Sequence, residues 1–229
     1  MHTIETDLNL LILDNLKKLL NDVCPFSSEI AEKHETFFKK NIFKRELGMC
    51  GKMGVVINLY SLYKDTNDTR WKNIADDWLD EIIEQCDNHI PFDYGNGLCG
   101  IGVGIEWLIQ KHYVEGDADI VLAEIDRKIL HVINTRDVIP TNVSHGILGI
   151  AYYIYCRLCY RKEVESSVTL MLKEHFIYLL EWMEEILQDD KRDKNYCEFY
   201  FILILFHQLN IYNTKVVKLL EWCDQKIAK

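Results

Sequence analysis

Residues 97–109 read GLCGIGVGIEWLI, two glycines spaced G-x-x-G with an apolar run directly behind them. The same arrangement stands at 51–63, GKMGVVINLYSLY, and at 146–158, GILGIAYYIYCRL, so that the motif starts lie 46 and 49 residues apart. Apolar residues recurring at three- and four-residue spacing predict a helix after each glycine pair. Between these runs lie stretches with one polar face, 69–86, 117–133 and 164–187. Each apolar helix is therefore expected to pair with an outer amphipathic one. A long period built on one helical hairpin marks an array whose neighbours bury each other's faces.

Working outward, residues 6–21 carry leucines on one face, and 28–44 open on Ser28, a good N-cap, so the two segments read as a leading hairpin. At the other end, 196–209 and 213–227 keep the helical pattern but lack both glycines, as a terminal repeat commonly does. The intervening segments KDTND and EGD are short and polar, as expected between antiparallel helices. With only three prolines in 229 residues, the chain reads as one all-α domain over 1–229. It has sequence for about five hairpins.

A formal net charge of −10 leaves no basic footprint for a phosphate backbone, which argues against nucleic acid as a partner. The eight cysteines, mostly inside apolar helical stretches of a large chain, fit reduced thiols in the cytoplasm better than a disulfide framework. No apolar run reaches the roughly 18 residues of a membrane span. The best candidate, 199–209, carries His207 and Gln208 and reads as a core helix.

Glycine costs roughly 1 kcal/mol relative to alanine inside a helix, so its recurrence at helix starts needs a mechanical reason. Close backbone approach is the expected one: Gly51, Gly97, Gly100, Gly146 and Gly149 would let the first turns of the inner helices meet around a common axis. Their leading amides would then point into a polar, slightly positive hollow.

FDYGNG at 92–97, GLCGIGVGIEWL at 97–108 and VSHGILGI at 143–150 together resemble the lanthionine synthetase cyclases and their LanC-like relatives over roughly residues 48 to 190. The resemblance implies an α/α toroid of helical hairpins, which in the family closes with seven; this chain would form an arc or a smaller ring. It also implies maturation of a ribosomally made modified peptide, as in lantibiotic biosynthesis. The cysteine of a precursor peptide adds to a dehydroalanine or dehydrobutyrine to close a thioether ring. In the family a zinc held by two cysteines and a histidine activates that cysteine, since zinc stabilises thiolate at neutral pH. Two further family residues assist proton transfer: an Asp four positions before the second repeat's glycine and a His directly before the third's. Asp93 and His145 match them in position.

The metal ligands match less well. The family's first zinc cysteine sits in W-C-x-G, whose only analogue here is Tyr196-Cys197, without the glycine, and the C-H-G motif that supplies the other two ligands does not occur. Cys50 and Cys99 stand near the motif glycines and with His145 would make a zinc-compatible trio. Cys156 and Cys159 form C-x-x-C inside a helical stretch and, like Trp107, Tyr152, Tyr153 and Tyr155, read as core.

Three functions follow. One is a peptide cyclase, either metal-independent, with Asp93 and His145 as acid/base groups, or metal-assisted through a partner chain such as another peptide-modifying protein. Another is a non-catalytic peptide-binding scaffold. The last is a carbohydrate-processing toroid, which needs paired carboxylates, for which Asp93 and Glu106 are the conspicuous residues. With so incomplete a ligand set, purified protein is expected to carry well under one zinc per chain by elemental analysis. Tight equimolar zinc lost on mutating Cys50, Cys99 or His145 would reverse that expectation.

Overall fold

The computed structural model describes residues 46–86, 89–161 and 165–228. Among these residues there are nine helices and no strand: α1 Lys52–Thr66, α2 Thr69–Gln85, α3 Leu98–Gln110, α4 Ala118–Val121, α5 Ala123–Thr135, α6 Ile147–Cys159, α7 Ser167–Gln188, α8 Tyr196–Leu209 and α9 Asn213–Ile227. The expected leading hairpin, 6–21 and 28–44, lies outside the described residues. No described helix is long and apolar enough to cross a membrane.

The helices form two layers. α1, α3, α6 and α8 follow one another on the inside, each packed on the next, while α2, α5, α7 and α9 lie outside as their hairpin partners. Composition decides which layer a helix joins. α3 and α6 bury most of their residues, including Leu98, Ile101, Ile105, Ile147, Ile150 and Ile154, whereas α5 buries only one stripe, Ile125, Asp126, Ile129, Leu130 and Ile133. The outer helix α2 starts under Asp68, whose carboxylate accepts the Arg70 amide at 3.0 Å, and α7 starts under Ser166, whose hydroxyl accepts the Thr169 amide at 3.1 Å. Such caps satisfy amides that have no partner within the helix.

The stretch 117–133, expected as one helix, is broken at Leu122, which is fully buried. On either side of the break Asp119 and Asp126 turn toward the same guanidinium, that of Arg157 on α6. Arg157 has no exposed surface. It donates to Asp126 at 2.6 and 3.0 Å and to Glu106 of α3 at 2.6 Å, while Arg161 donates to Glu106 at 3.0 Å and to Asp119 at 2.9 Å. The Tyr153 hydroxyl completes the cluster on Asp126 at 2.5 Å. Desolvation pulls the Arg157 pKa down, but the Asp126 hydrogen bond and the two buried carboxylates outweigh it and hold the pKa above its ordinary value.

One inner pair and one outer hairpin arm are thus tied together by charge inside the core. Removing one partner of such a network leaves the other charges buried and unpaired, which is far more costly than never burying them. Arg157→Met is therefore expected to destabilise the protein by about 3–5 kcal/mol in urea denaturation. Val138→Ala, at a position 89% exposed, should stay within about 0.5 kcal/mol.

Candidate functional site

Three loops lead into the inner helices, 46–51, 91–97 and 140–146, and each folds back over its own glycine. The helices α1, α3 and α6 have glycine N-caps and no side-chain cap. Loop carbonyls serve instead: Glu46 O accepts the Lys52 amide at 3.1 Å, Pro91 O the Leu98 amide at 2.8 Å and Pro140 O the Ile147 amide at 3.0 Å. That fold-back is why the first glycine is needed. A Cβ on Gly97 would lie 1.8 Å from Pro91 O, and Gly51 and Gly146 meet the corresponding carbonyls at 2.1 Å. Their φ angles are negative, between −117° and −135°, so the requirement is space and not an unusual backbone. The second glycine makes room for a different loop segment: a Cβ on Gly100 would lie 2.0 Å from Tyr94 O and 2.5 Å from Met49 N of the preceding loop.

The glycines thus gather at one end of the inner layer, but what fills their space is loop backbone, not neighbouring first turns. The leading amides are also spent on loop carbonyls, so the expected hollow of free amide donors is not formed by Lys52, Leu98 or Ile147. The loops are instead zipped to each other. Met49 N donates to Tyr94 O at 3.1 Å, Cys50 N to Gly95 O at 2.7 Å, and Gly95 N to Ser144 O at 2.7 Å.

This zipper brings Asp93 and His145 together. Asp93 Oδ1 accepts the Asn96 amide at 2.6 Å, and its other oxygen, Oδ2, lies 3.6 Å from His145 Nδ1. In the next loop Asn142, also four residues before a motif glycine, performs the same backbone duty, accepting the His145 amide at 2.7 Å. An amide oxygen therefore suffices for the turn, and the charge on Asp93 is surplus to it. The Asp93 side chain is 13% exposed and His145 50%, so the carboxylate is nearly covered while the imidazole reaches solvent. A separation of 3.6 Å exceeds a hydrogen bond.

Sequence reasoning missed Gly95, which is the centre of the arrangement. It links the first and third loops through its own amide and carbonyl, and a Cβ there would lie 2.8 Å from Ser144 Oγ and 3.2 Å from His145 Cε1. Its signal in the sequence is the extra glycine of FDYGNG. Cys50 is half-buried beside Ser144; burial pushes its thiol up, and the hydrogen bond from Ser144 opposes that. Cys99 is fully buried, and desolvation, with the Asp93 charge nearby, raises its thiol well above the ordinary range.

The fourth unit joins the row differently. Asn195 replaces the glycine as N-cap, its side chain accepting the amides of Cys197 and Glu198 at 3.1 and 3.4 Å. Glu198 stands where the second glycine would be and accepts the Val143 amide at 3.0 Å, while Thr141 Oγ1 donates to Asp193 O at 2.8 Å. Counted from the cap, Cys197 shares its position with Met53, Cys99 and Leu148 and not with a glycine. It is exposed on a groove of about 470 Å³ between the third and fourth loops, lined also by Thr141, Asn142, Asp193, Lys194, Asn195, Tyr196 and Ile227.

The described residues do not fit zinc. Cys197 has no second thiol or imidazole in its groove. Among the described residues, no three His, Cys, Asp or Glu side chains form a metal-holding group, the trio Cys50, Cys99 and His145 included. Glu106, the proposed partner of Asp93 in carbohydrate chemistry, is committed to Arg157 and Arg161.

Hairpins stacked around an inner helical layer, with glycine loops gathered at its N-terminal end, define an α/α toroid-type array. The sequence matches the lanthionine synthetase C-like protein family over residues 6–200, and the chain belongs to that family. No curated protein matches it significantly.

The fold-back over Gly97 yields a stability prediction. Gly97→Ala should displace the Pro91 carbonyl and cost about 1–3 kcal/mol or more, read as a lowered denaturation midpoint. Asp93→Asn, which keeps an acceptor for the Asn96 amide, should cost under about 1 kcal/mol by the same measurement.

Proposed function

We propose that this protein matures a ribosomally made peptide by thioether formation, with His145 as the acid/base group and Asp93 supporting it. The observation that carries this reading is the Asp93–His145 approach at 3.6 Å, made by an oxygen that the loop does not need. An imidazole changes charge near neutral pH, which suits removal of a proton from a peptide cysteine. In the reaction His145 takes the thiol proton, the sulfur bonds to the β-carbon of a dehydroamino acid, and the electron pair of the C=C bond moves toward the peptide carbonyl. A proton then returns to the α-carbon. Asp93 presents its Oδ2 to the ring at 3.6 Å and so helps orient it. No step is assigned to zinc, because the side chains described do not offer its ligands. A reducing, cytoplasmic setting suits chemistry that depends on a free thiol.

A second reading, a non-catalytic peptide-binding scaffold for other modifying proteins, is favoured by the lack of a three-ligand metal group among the described residues. The two separate on a synthetic peptide carrying one cysteine and one dehydroalanine, followed by loss of alkylatable thiol. The cyclase reading expects wild-type protein to exceed the spontaneous rate, His145→Gln to lose about 10²–10⁴-fold, and Asp93→Asn to lose roughly tenfold or more while remaining folded. Binding of that peptide with no rate above background would leave the scaffold.

A further inference from the structure

The row of loops is continuous through three repeats and changes character at the fourth. Between the first three loops, backbone pairs with backbone: Met49 with Tyr94, Cys50 with Gly95, Gly95 with Ser144. Between the third and fourth, side chains reach across instead, Thr141 to the Asp193 carbonyl and Glu198 to the Val143 amide, and the groove of about 470 Å³ opens there. Its volume is that of a ligand site. It also abuts the candidate site, because Asn142 both lines the groove and holds the His145 amide.

The lining decides what kind of occupant fits. Lys194 is the groove's cation, and its ammonium is already held by the carbonyls of Leu187 at 3.1 Å and Asp189 at 2.5 Å. Asn195 is spent on the α8 cap. An anion therefore finds no uncommitted charge to recognise it. Thr141 Oγ1 and Asn142 Oδ1 are held by the loops, so the groove offers the Asn142 amide nitrogen, the Tyr196 hydroxyl and the exposed Asp193 carboxylate beside apolar surface from Ile227 and Cys197, which match a polyamide with neutral or basic side chains.

The geometry points to this groove as the place where the substrate peptide lies extended on one side of its reacting residues, taking the place in the row that a fourth backbone-paired loop would hold. The inference rests on the peptide-maturation reading and adds to it a path: from His145 past Asn142 to Cys197. Extended segments add to backbone edges in this way through main-chain hydrogen bonds.

Two cysteines report on the two halves of that path, Cys50 at the zipped loops and Cys197 in the groove. The full chain is treated with N-ethylmaleimide, and the alkylation rate of each is read by peptide mass spectrometry. The treatment is repeated with a cysteine-free degenerate dodecapeptide pool, with Cys197→Ser assigning the signal. With free peptide at ten times its Kd, both rates are expected to fall by about tenfold. Slowing at Cys50 with Cys197 unchanged overturns the groove and leaves the peptide-maturation reading standing. Slowing at Cys197 alone overturns the continuous path, and no slowing at either removes both.

Discussion

The contact on which the candidate site depends is a carbonyl lying over a glycine. Where Pro91 O covers Gly97 and takes the Leu98 amide, one atom closes the loop and caps the helix at once. A side-chain cap satisfies amides as well, as Asn195 does for α8, but it does not draw the loop back onto the helix end. The fold-back turns the loop edges toward their neighbours. Only then can Cys50, Gly95 and Ser144 share backbone hydrogen bonds, and only through that zipper does an aspartate of one repeat meet the histidine of the next.

The rest of the inner layer supports this end from below. Glu106, Arg157 and Asp126 fix α3, α6 and α5 relative to one another by charge in a region without solvent. Glu106 sits nine residues beyond Gly97, about 13 Å along the helix. A buried network of this kind is a costly way to gain stability but a strict way to set geometry, since any shift leaves a charge unpaired. The spacing of Gly97 and Gly146, and hence the reach from Asp93 to His145, follows from how α3 and α6 are held.

In the proposed reaction, chemistry at the site falls to a half-exposed imidazole and a nearly covered carboxylate. Buried thiols such as Cys99 are pushed toward their neutral form, which makes them poor nucleophiles at neutral pH. Cys197 is exposed but has no second thiol or imidazole among its groove neighbours. In this family member Asp93 and His145 lie 3.6 Å apart, while the described residues offer no metal centre.

The sequence by itself determined the all-α array, its inner and outer helices, the glycine positions and the matching places of Asp93 and His145. These depend on periodicity and short motifs, which act within one turn or one repeat. The helix bounds 196–209 and 213–227 were legible for the same reason, since local capping and apolar spacing specify them. Only the tertiary structure decided the role of Gly95, the double use of Asp93, the isolation of Cys197 and the fate of Glu106. It also decided that loop carbonyls, rather than converging helices, fill the space beside the glycines. Each of these is a contact between residues about a repeat apart or between a loop and its own helix end. Such contacts exist only once neighbouring hairpins have packed and desolvated one another, and no spacing within a single repeat encodes which atom will arrive.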